Sequence, residues 1–464
     1  MDRSTKKIYQ ENFAELSAAM RPEEAAIEAD RCLYCYDAPC ISACPTHIDI
    51  PRFIKQIASD NLKGSAKTIL EANALGHSCA RACPVEVLCE GACVYHDWQE
   101  KPIQIARLQR RATDWLHEEG ISPFKPGPAN GLRIAVVGAG PAGLACALYL
   151  RRLGYAVSLF EKRKLAGGLN TYGIAEYKMT QKISLDEIKR IFALGIDVNM
   201  GKEIGKDVGT EQLLRDFSAV FIGIGLGETH LLGIPGEDLR GVWDALSFIR
   251  YVKDRNLKPL GKSKATVVIG AGNTSIDAVT QSKRTGAAKV IMAYRRGPGE
   301  MGAYPFEYKL AQTDVAEFLW NSAPIRVLGK ESVEGIEFLK TKLKGNSLSG
   351  IPNSKFIVKC DRVIKAVGQT KHFGLAKAFG LKLSADGRIE VNAETLQTSH
   401  PKVFAGGDAV NGGKEVVNAA ADGKRAAYGI ARLLQPAKPL PPGNDYWIST
   451  INGRKIAPIA ARHG

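Results

Sequence analysis

Eight of the ten cysteines in this 464-residue chain fall between Cys32 and Cys93, in two runs. The first reads Cys32-x2-Cys35-x4-Cys40-x3-Cys44-Pro45, the second Cys79-x3-Cys83-Pro84-x5-Cys89-x3-Cys93. Closely spaced thiolates ending in Cys-Pro are ligands for cubane iron–sulfur clusters, and the cysteine before the proline often reaches a second cluster. Two interleaved runs therefore predict two 4Fe-4S clusters. Eight thiolates match eight ligand places, which on arithmetic alone makes Cys79 the eighth ligand. A zinc site at Cys32-x2-Cys35 is the competing chemistry.

Two nucleotide-type loops follow. Val136-Val137-Gly138-Ala139-Gly140-Pro141-Ala142-Gly143 leaves an apolar strand and opens a helix. Here Gly138 permits the tight turn, Gly140 lets a pyrophosphate approach, and Gly143 allows close helix–strand packing. The helix N-terminus then faces the phosphates. Glu161 follows the next strand, Ala156 to Phe160, where it can accept hydrogen bonds from ribose hydroxyls. Val267-Val268-Ile269-Gly270-Ala271-Gly272-Asn273-Thr274-Ser275 repeats the design, with Ser275 at the place of the third glycine. The strand after it, Val290 to Ala293, leads into Tyr294-Arg295-Arg296 instead of an acid. Arginine there favours a 2′-phosphate, hence NADPH over NADH; the plainer reading is solvated charge. Far downstream, Val403-Phe404-Ala405-Gly406-Gly407-Asp408 is a strand, a glycine turn and a carboxylate at the strand's C-terminal edge, where open α/β sheets collect ligands.

These residues need elements to hold them. Residues 1–120 read as helices, with a start at Asp49-Ile50-Pro51 and Phe53, Ile54 and Ile57 at helical spacing. The Pro/Gly segment 121–131 reads as a linker and domain boundary, and β/α alternation begins at Arg133. The uncharged run Ile134 to Leu150 reads as strand, glycine turn and helix; it is short for a bilayer. With no apolar secretory signal at the start, the expected location is cytoplasmic, where clustered cysteines act as ligands. The composition, 45% hydrophobic and 24% charged, is that of a globular protein. The formal charge of +15 falls to roughly +9 or +10 once two clusters and one FAD are counted. No basic cluster interleaved with aromatics accompanies it, so the expectation is no nucleic-acid partner and a basic surface that suits an acidic one.

Together with the first loop, Gly406-Gly407-Asp408 resembles the second FAD motif of two-dinucleotide-domain flavoprotein reductases, which implies that the nicotinamide domain is inserted in the FAD domain. The expected fold class is α/β: a helical N-terminal iron–sulfur domain followed by two Rossmann-like dinucleotide-binding domains. The expected boundaries are 1–130 for the helical domain, 131–233 and 369–435 for the FAD domain, 234–368 for the NAD(P)H domain, and a Pro-rich tail over 436–464.

From about Ala25 to Leu434 the chain resembles the flavin/iron–sulfur subunit of bacterial dihydropyrimidine dehydrogenase and, more distantly, the glutamate synthase small subunit. The residues that carry the likeness are Cys32-Leu33-Tyr34-Cys35 through Cys44-Pro45, Leu75-Gly76 through Cys93, Gly167-Gly168-Leu169 and Gly406-Gly407-Asp408. The resemblance implies Cys32, Cys35, Cys40 and Cys93 around one cluster, and Cys44, Cys83, Cys89 and Gln109 around the other, displacing Cys79. For FAD it implies Ala139, Gly140, Pro141, Ala142, Gly143, Glu161, Gly168, Leu169, Lys178, Ile204, Gly407, Asp408 and Val416. For the nicotinamide it implies Ala271, Gly272, Asn273, Thr274, Arg295, Arg296, Ala366, Val367 and Gly368, with Gly302 where the single-chain form of dihydropyrimidine dehydrogenase, whose N-terminal half the chain also resembles, has a further phosphate-binding arginine. Lys202 matches a lysine near the flavin and is a candidate for tuning it. Cys146, Cys360, His47, His77 and His96 read as structural.

The expected activity is NAD(P)H oxidation through FAD and both clusters to an FMN-containing barrel subunit, which reduces uracil or thymine at the 5,6 bond. The chain itself ends before such a barrel, and the tail from Pro436 is the expected docking element. Delivery of electrons to a glutamine-dependent glutamate synthase chain is the first alternative, a non-catalytic redox-sensing flavin/cluster protein the second.

Overall fold

The computed structural model describes residues 9–345 and 347–438, so most of the Pro-rich tail lies outside the described residues. The strands in chain order are β1 (Arg133–Val137), β2 (Ala156–Glu161), β3 (Asp197–Met200), β4 (Ala219–Ile222), β5 (Val242–Asp244), β6 (Ala265–Ile269), β7 (Lys289–Ala293), β8 (Glu317–Leu319), β9 (Ser322–Leu328), β10 (Gly335–Lys344), β11 (Ser347–Lys359), β12 (Arg362–Lys365) and β13 (Val403–Ala405). They form two five-stranded sheets, ordered β13-β4-β1-β2-β3 and β5-β12-β6-β7-β8, and a ribbon β11-β10-β9. Every pair in the two large sheets is parallel, and the ribbon is antiparallel. Parallel sheets need both faces covered, which explains the unbroken apolar runs Ile134–Val137 and Val267–Ile269, all buried. The run from Ile134 to Leu150 is β1, a turn and the helix Pro141–Arg152. Among the described residues no helix is long and apolar enough to cross a membrane.

The chain divides into two compact units. One comprises 17–171, 182–226 and 371–438 of the described residues, the other 9–16, 172–181 and 227–370. The second unit interrupts the first sheet, because β13 is hydrogen-bonded to β4 across the inserted chain. This is the nested Rossmann arrangement expected from the sequence.

The N-terminal cysteine region is helical, as its periodicity predicts. Asp49 caps the helix Ile50–Ala58 by accepting from the Arg52 amide at 3.2 Å, and Asn61 caps Leu62–Ala72 through the Gly64 amide at 2.8 Å. Such caps contribute about 1 kcal/mol each. Phe53, Ile54, Ile69 and Leu108 fill the core between these helices and Ile105–Glu118. Segment 121–131 is irregular, yet 17–171 lies in one unit across it. Hydrogen bonds link the chain on either side of that segment: the Tyr149 hydroxyl donates to Glu71 O at 2.9 Å and Lys424 Nζ to Ala72 O at 3.0 Å, both partly buried, and the buried His77 amide to Glu187 at 2.9 Å. A Pro/Gly run reports local backbone conformation and carries no information about such non-local contacts.

Candidate active site

In the larger unit the first glycine loop is shaped by backbone contact. Gly138 has φ +97°, and a Cβ on it would lie 2.5 Å from Gly223 O; one on Gly143 would lie 1.9 Å from Gly138 O. These two glycines are required by the protein itself. Gly140 differs: its nearest atoms, Gly223 O and Gly168 Cα, stand 3.8 and 3.9 Å away. The open side of that cradle is where a pyrophosphate would lie, ahead of the helix Pro141–Arg152. The second glycine pair closes on the same loop, since the Gly167 amide donates to Ala139 O at 2.7 Å and leaves Gly168 and Leu169 beside it. Glu161 accepts from the Ala139 amide at 2.8 Å and from the Arg163 amide at 2.8 Å. Its carboxylate has capacity left for ribose hydroxyls.

At the downstream motif, Gly407 adopts φ +72° and opens the short helix Asp408–Asn411. Asp408 accepts from the Lys414 amide at 3.1 Å, and burial raises its pKa. Asp422, whose carboxyl burial likewise raises, accepts from the Gly407 amide at 3.0 Å. Gly223 and Asp422 shape this site and are absent from the sequence reading. The only local signal for Gly223 is its place directly after β4. Val416 begins the long helix Val416–Leu434. Ile204 is buried with Ile222 and Val403 under the sheet, and Lys202 is exposed, with only its amide tied to Glu161 O at 2.9 Å. Lys178 lies in the other unit, where Nζ pairs with Asp277 at 2.7 Å and with Glu307 at 2.5 Å.

That second unit repeats the cradle. Gly270 has φ +130°, and a Cβ there would sit 2.2 Å from Ala366 O, whereas nothing lies within 4 Å of a Cβ on Gly272. Ala271 O accepts from the Ala303 amide at 2.9 Å and Asn273 Oδ1 from the Tyr304 amide at 3.0 Å, fixing the loop ahead of Thr274. Ala366, Val367 and Gly368 leave β12 beside it, and Gly368 O accepts from the His230 amide at 2.9 Å. Arg295 and Arg296 follow β7; their carbonyls are held by the Thr341 hydroxyl at 2.7 Å and the Asn321 amide at 3.0 Å. Among the described residues neither guanidinium forms an ion pair, and Arg295 is exposed. Two free cations beside an open glycine loop suit a phosphate.

The cysteines gather into two groups. Cys32, Cys35, Cys40 and Cys93 are mutual electrostatic neighbours. Cys44, Cys79, Cys83, Cys89 and Gln109 line one cavity with Asn73 and Val417, its empty space ≈ 380 Å³ and partly open to solvent. Burial pushes the Cys40 thiol up to about 12, aided by Cys32, Cys93 and Cys35. Burial likewise raises Cys44 and Cys89, while a hydrogen bond with Cys79, then burial, raises Cys83. Such thiols ionise when a cationic iron–sulfur core takes their protons' place. Among the described residues no three His, Cys, Asp or Glu side chains converge on a single ion. The donor set fits cubane clusters. Gln109 is 7% exposed, and its Nε2 donates to Gly76 O at 2.7 Å, which leaves Oε1 as the atom that could ligate. His77 is fully enclosed; burial and then Arg81 drive its pKa to about 3, so it is neutral.

Residues 9–121 match the family profile described as dihydropyrimidine dehydrogenase domain II, 4Fe-4S cluster, and residues 132–423 match pyridine nucleotide-disulphide oxidoreductase. The Escherichia coli glutamate synthase (NADPH) small chain is 34% identical over 453 residues, covering 92% of this chain and 95% of that protein. The NAD-dependent dihydropyrimidine dehydrogenase subunit PreT of another Escherichia coli strain is 34% identical over 429 residues, covering 92% and 99%. Among solved structures, Mycobacterium tuberculosis FprA in complex with NADPH shares the fold, with a TM-score of 0.53 and 18% identity over 70% of this chain and 90% of that one.

Proposed function

The chain belongs to the pyridine nucleotide-disulphide oxidoreductase family, joined to a 4Fe-4S domain of the dihydropyrimidine dehydrogenase type, and on that premise we propose that it is the electron-input subunit of a dihydropyrimidine dehydrogenase. In this reading it oxidises NADPH in the cytoplasm and feeds a partner FMN barrel subunit that reduces uracil or thymine. FAD, when bound, accepts the hydride as an electron pair and releases single electrons, of which each cubane carries one. The chain's own residues bind and orient. The Gly138 loop and Glu161 hold the flavin nucleotide, the Gly270 loop with Arg295 and Arg296 holds the nicotinamide one, and the two cysteine groups hold the clusters.

One observation carries this reading. The helix Val416–Leu434 begins at a residue implied in flavin binding, and the next residue, Val417, lines the cavity of Cys44, Cys83, Cys89 and Gln109. If Val416 contacts the flavin, neighbouring residues of one helix would then lie at both redox sites, which supports electron passage from flavin to cluster. The test is anaerobic purification with native partners, then NADPH oxidation with uracil as acceptor; uracil-dependent turnover with an FMN subunit present is expected. Turnover with artificial acceptors alone, beside a glutamine-dependent partner, selects the glutamate synthase reading, which the 34% identity across 95% of that small chain supports.

Two expected results arise here. A Cβ on Gly302 would meet only Ala271 O, at 3.9 Å, and its φ is unstrained. Gly302→Arg therefore adds a cation beside the loop and raises kcat/KM for NADPH about fivefold, ~1 kcal/mol for an exposed charge pair, with NADH unchanged. Steady-state kinetics on both nucleotides checks it. With Gln109 as ligand, Cys79→Ala retains the iron content of the wild type; loss of half the iron would give the place to Cys79.

A further inference from the structure

Lys424 is a buried charge beside the second cysteine group. It lies on the helix Val416–Leu434, seven residues after Val417, so both share one face of that helix, two turns apart. Val417 lines the cavity of the second cysteine group. Lys424 is 4% exposed, and its Nζ donates at 3.0 Å to the carbonyl of Ala72, the residue before the cavity-lining Asn73. The ammonium is thus bracketed by two positions of the cavity wall. Its favourable electrostatic partner is Cys44, and Arg152 and His47 also feel its charge. The ammonium lies over the Tyr149 ring, 5.6 Å from its centroid. Burial draws its pKa down to about 8, which leaves it charged at neutral pH. A cation held dry is costly, and where a cluster gains negative charge the same burial makes it effective.

We propose that Lys424 is a positioning charge for the cluster held by Cys44, Cys83 and Cys89, stabilising its reduced state and so raising its potential. The step is one electron: reduced flavin loses it, and the 4Fe-4S core passes from 2+ to 1+, with the added negative charge facing the ammonium. The inference rests on the two-cluster reading above and is indifferent to which subunit accepts the electrons.

The test is an anaerobic redox titration of the holoprotein followed by electron paramagnetic resonance, on Lys424→Met, Lys424→Gln and Lys424→Arg, with iron, sulfide and flavin assayed. At the wild-type midpoint the two neutral variants are expected to show a reduced-to-oxidised ratio about tenfold lower, about 59 mV for a one-electron couple. The arginine variant keeps the wild-type ratio. Neutral variants with full iron and an unchanged midpoint overturn the proposal, as does an equal fall in the arginine variant, which would make the effect one of packing. Loss of this cluster from both neutral variants and its retention with arginine supports the charge; loss from all three overturns it. A wild-type protein holding a single cluster sinks the two-cluster reading instead.

Discussion

Gly143→Ala is expected to yield a folded protein that retains no FAD. The added methyl would lie 1.9 Å from Gly138 O and 3.0 Å from Gly138 C. The partner is backbone, held by its own contact with Gly223, so no rotamer change relieves the clash. The helix Pro141–Arg152 must move outward by more than an ångström, taking with it the amides that face the pyrophosphate. A misplacement of that size costs on the order of 100-fold in function, and overpacking costs about 1–3 kcal/mol in stability. Flavin fluorescence released on denaturation and the flavin absorption band check it. Circular dichroism and an intact iron–sulfur absorption separate this outcome from unfolding. A variant that purifies with stoichiometric FAD would sink the loop assignment.

Cys89→Ser is expected to remove the second cluster and uncouple the two halves of the reaction. Cys89 lines the same cavity as Cys44 and Cys83, and it senses both Cys44 and Cys40 electrostatically, one from each group. It thus faces thiols of both groups. Residues merely behind metal ligands cost 10–100-fold when replaced, so loss of a ligand should lower partner-coupled turnover by more than about 100-fold. NADPH oxidation with a two-electron dye needs only the flavin and should persist. Iron falls by half. Equal loss of both activities would place the cluster outside the electron path.

The parts of this site that a reader of the sequence can find are the ones written locally. Cysteine spacing, the two glycine loops, Glu161 at the end of β2 and the Arg295-Arg296 pair after β7 all lie within short stretches whose geometry follows from strand, turn and helix. The rest is assembled over long separations. Asp422 reaches the Gly407 amide from the final helix, Gly223 abuts Gly138 across the sheet, and Lys424 meets Ala72 from more than three hundred residues away. No period or motif marks these positions. Lys178 illustrates the converse. The resemblance puts it with FAD, whereas its ion pairs are with Asp277 and Glu307 of the nicotinamide-loop unit, an attachment only tertiary structure reveals.

The insertion has a consequence for biosynthesis. β4 ends at Ile222 and its neighbour β13 starts at Val403, so a growing chain presents an incomplete first sheet with one long edge of β4 unpaired. At about 5–20 residues per second, that edge waits roughly 10–40 s for its last strand. Meanwhile the stretch 227–370 has both edges of its own sheet in hand, from β5 through β12. The inserted unit can therefore close first on the ribosome, and in the proposed reading flavin capture through Gly407 and Asp408 is postponed until after β13 has emerged.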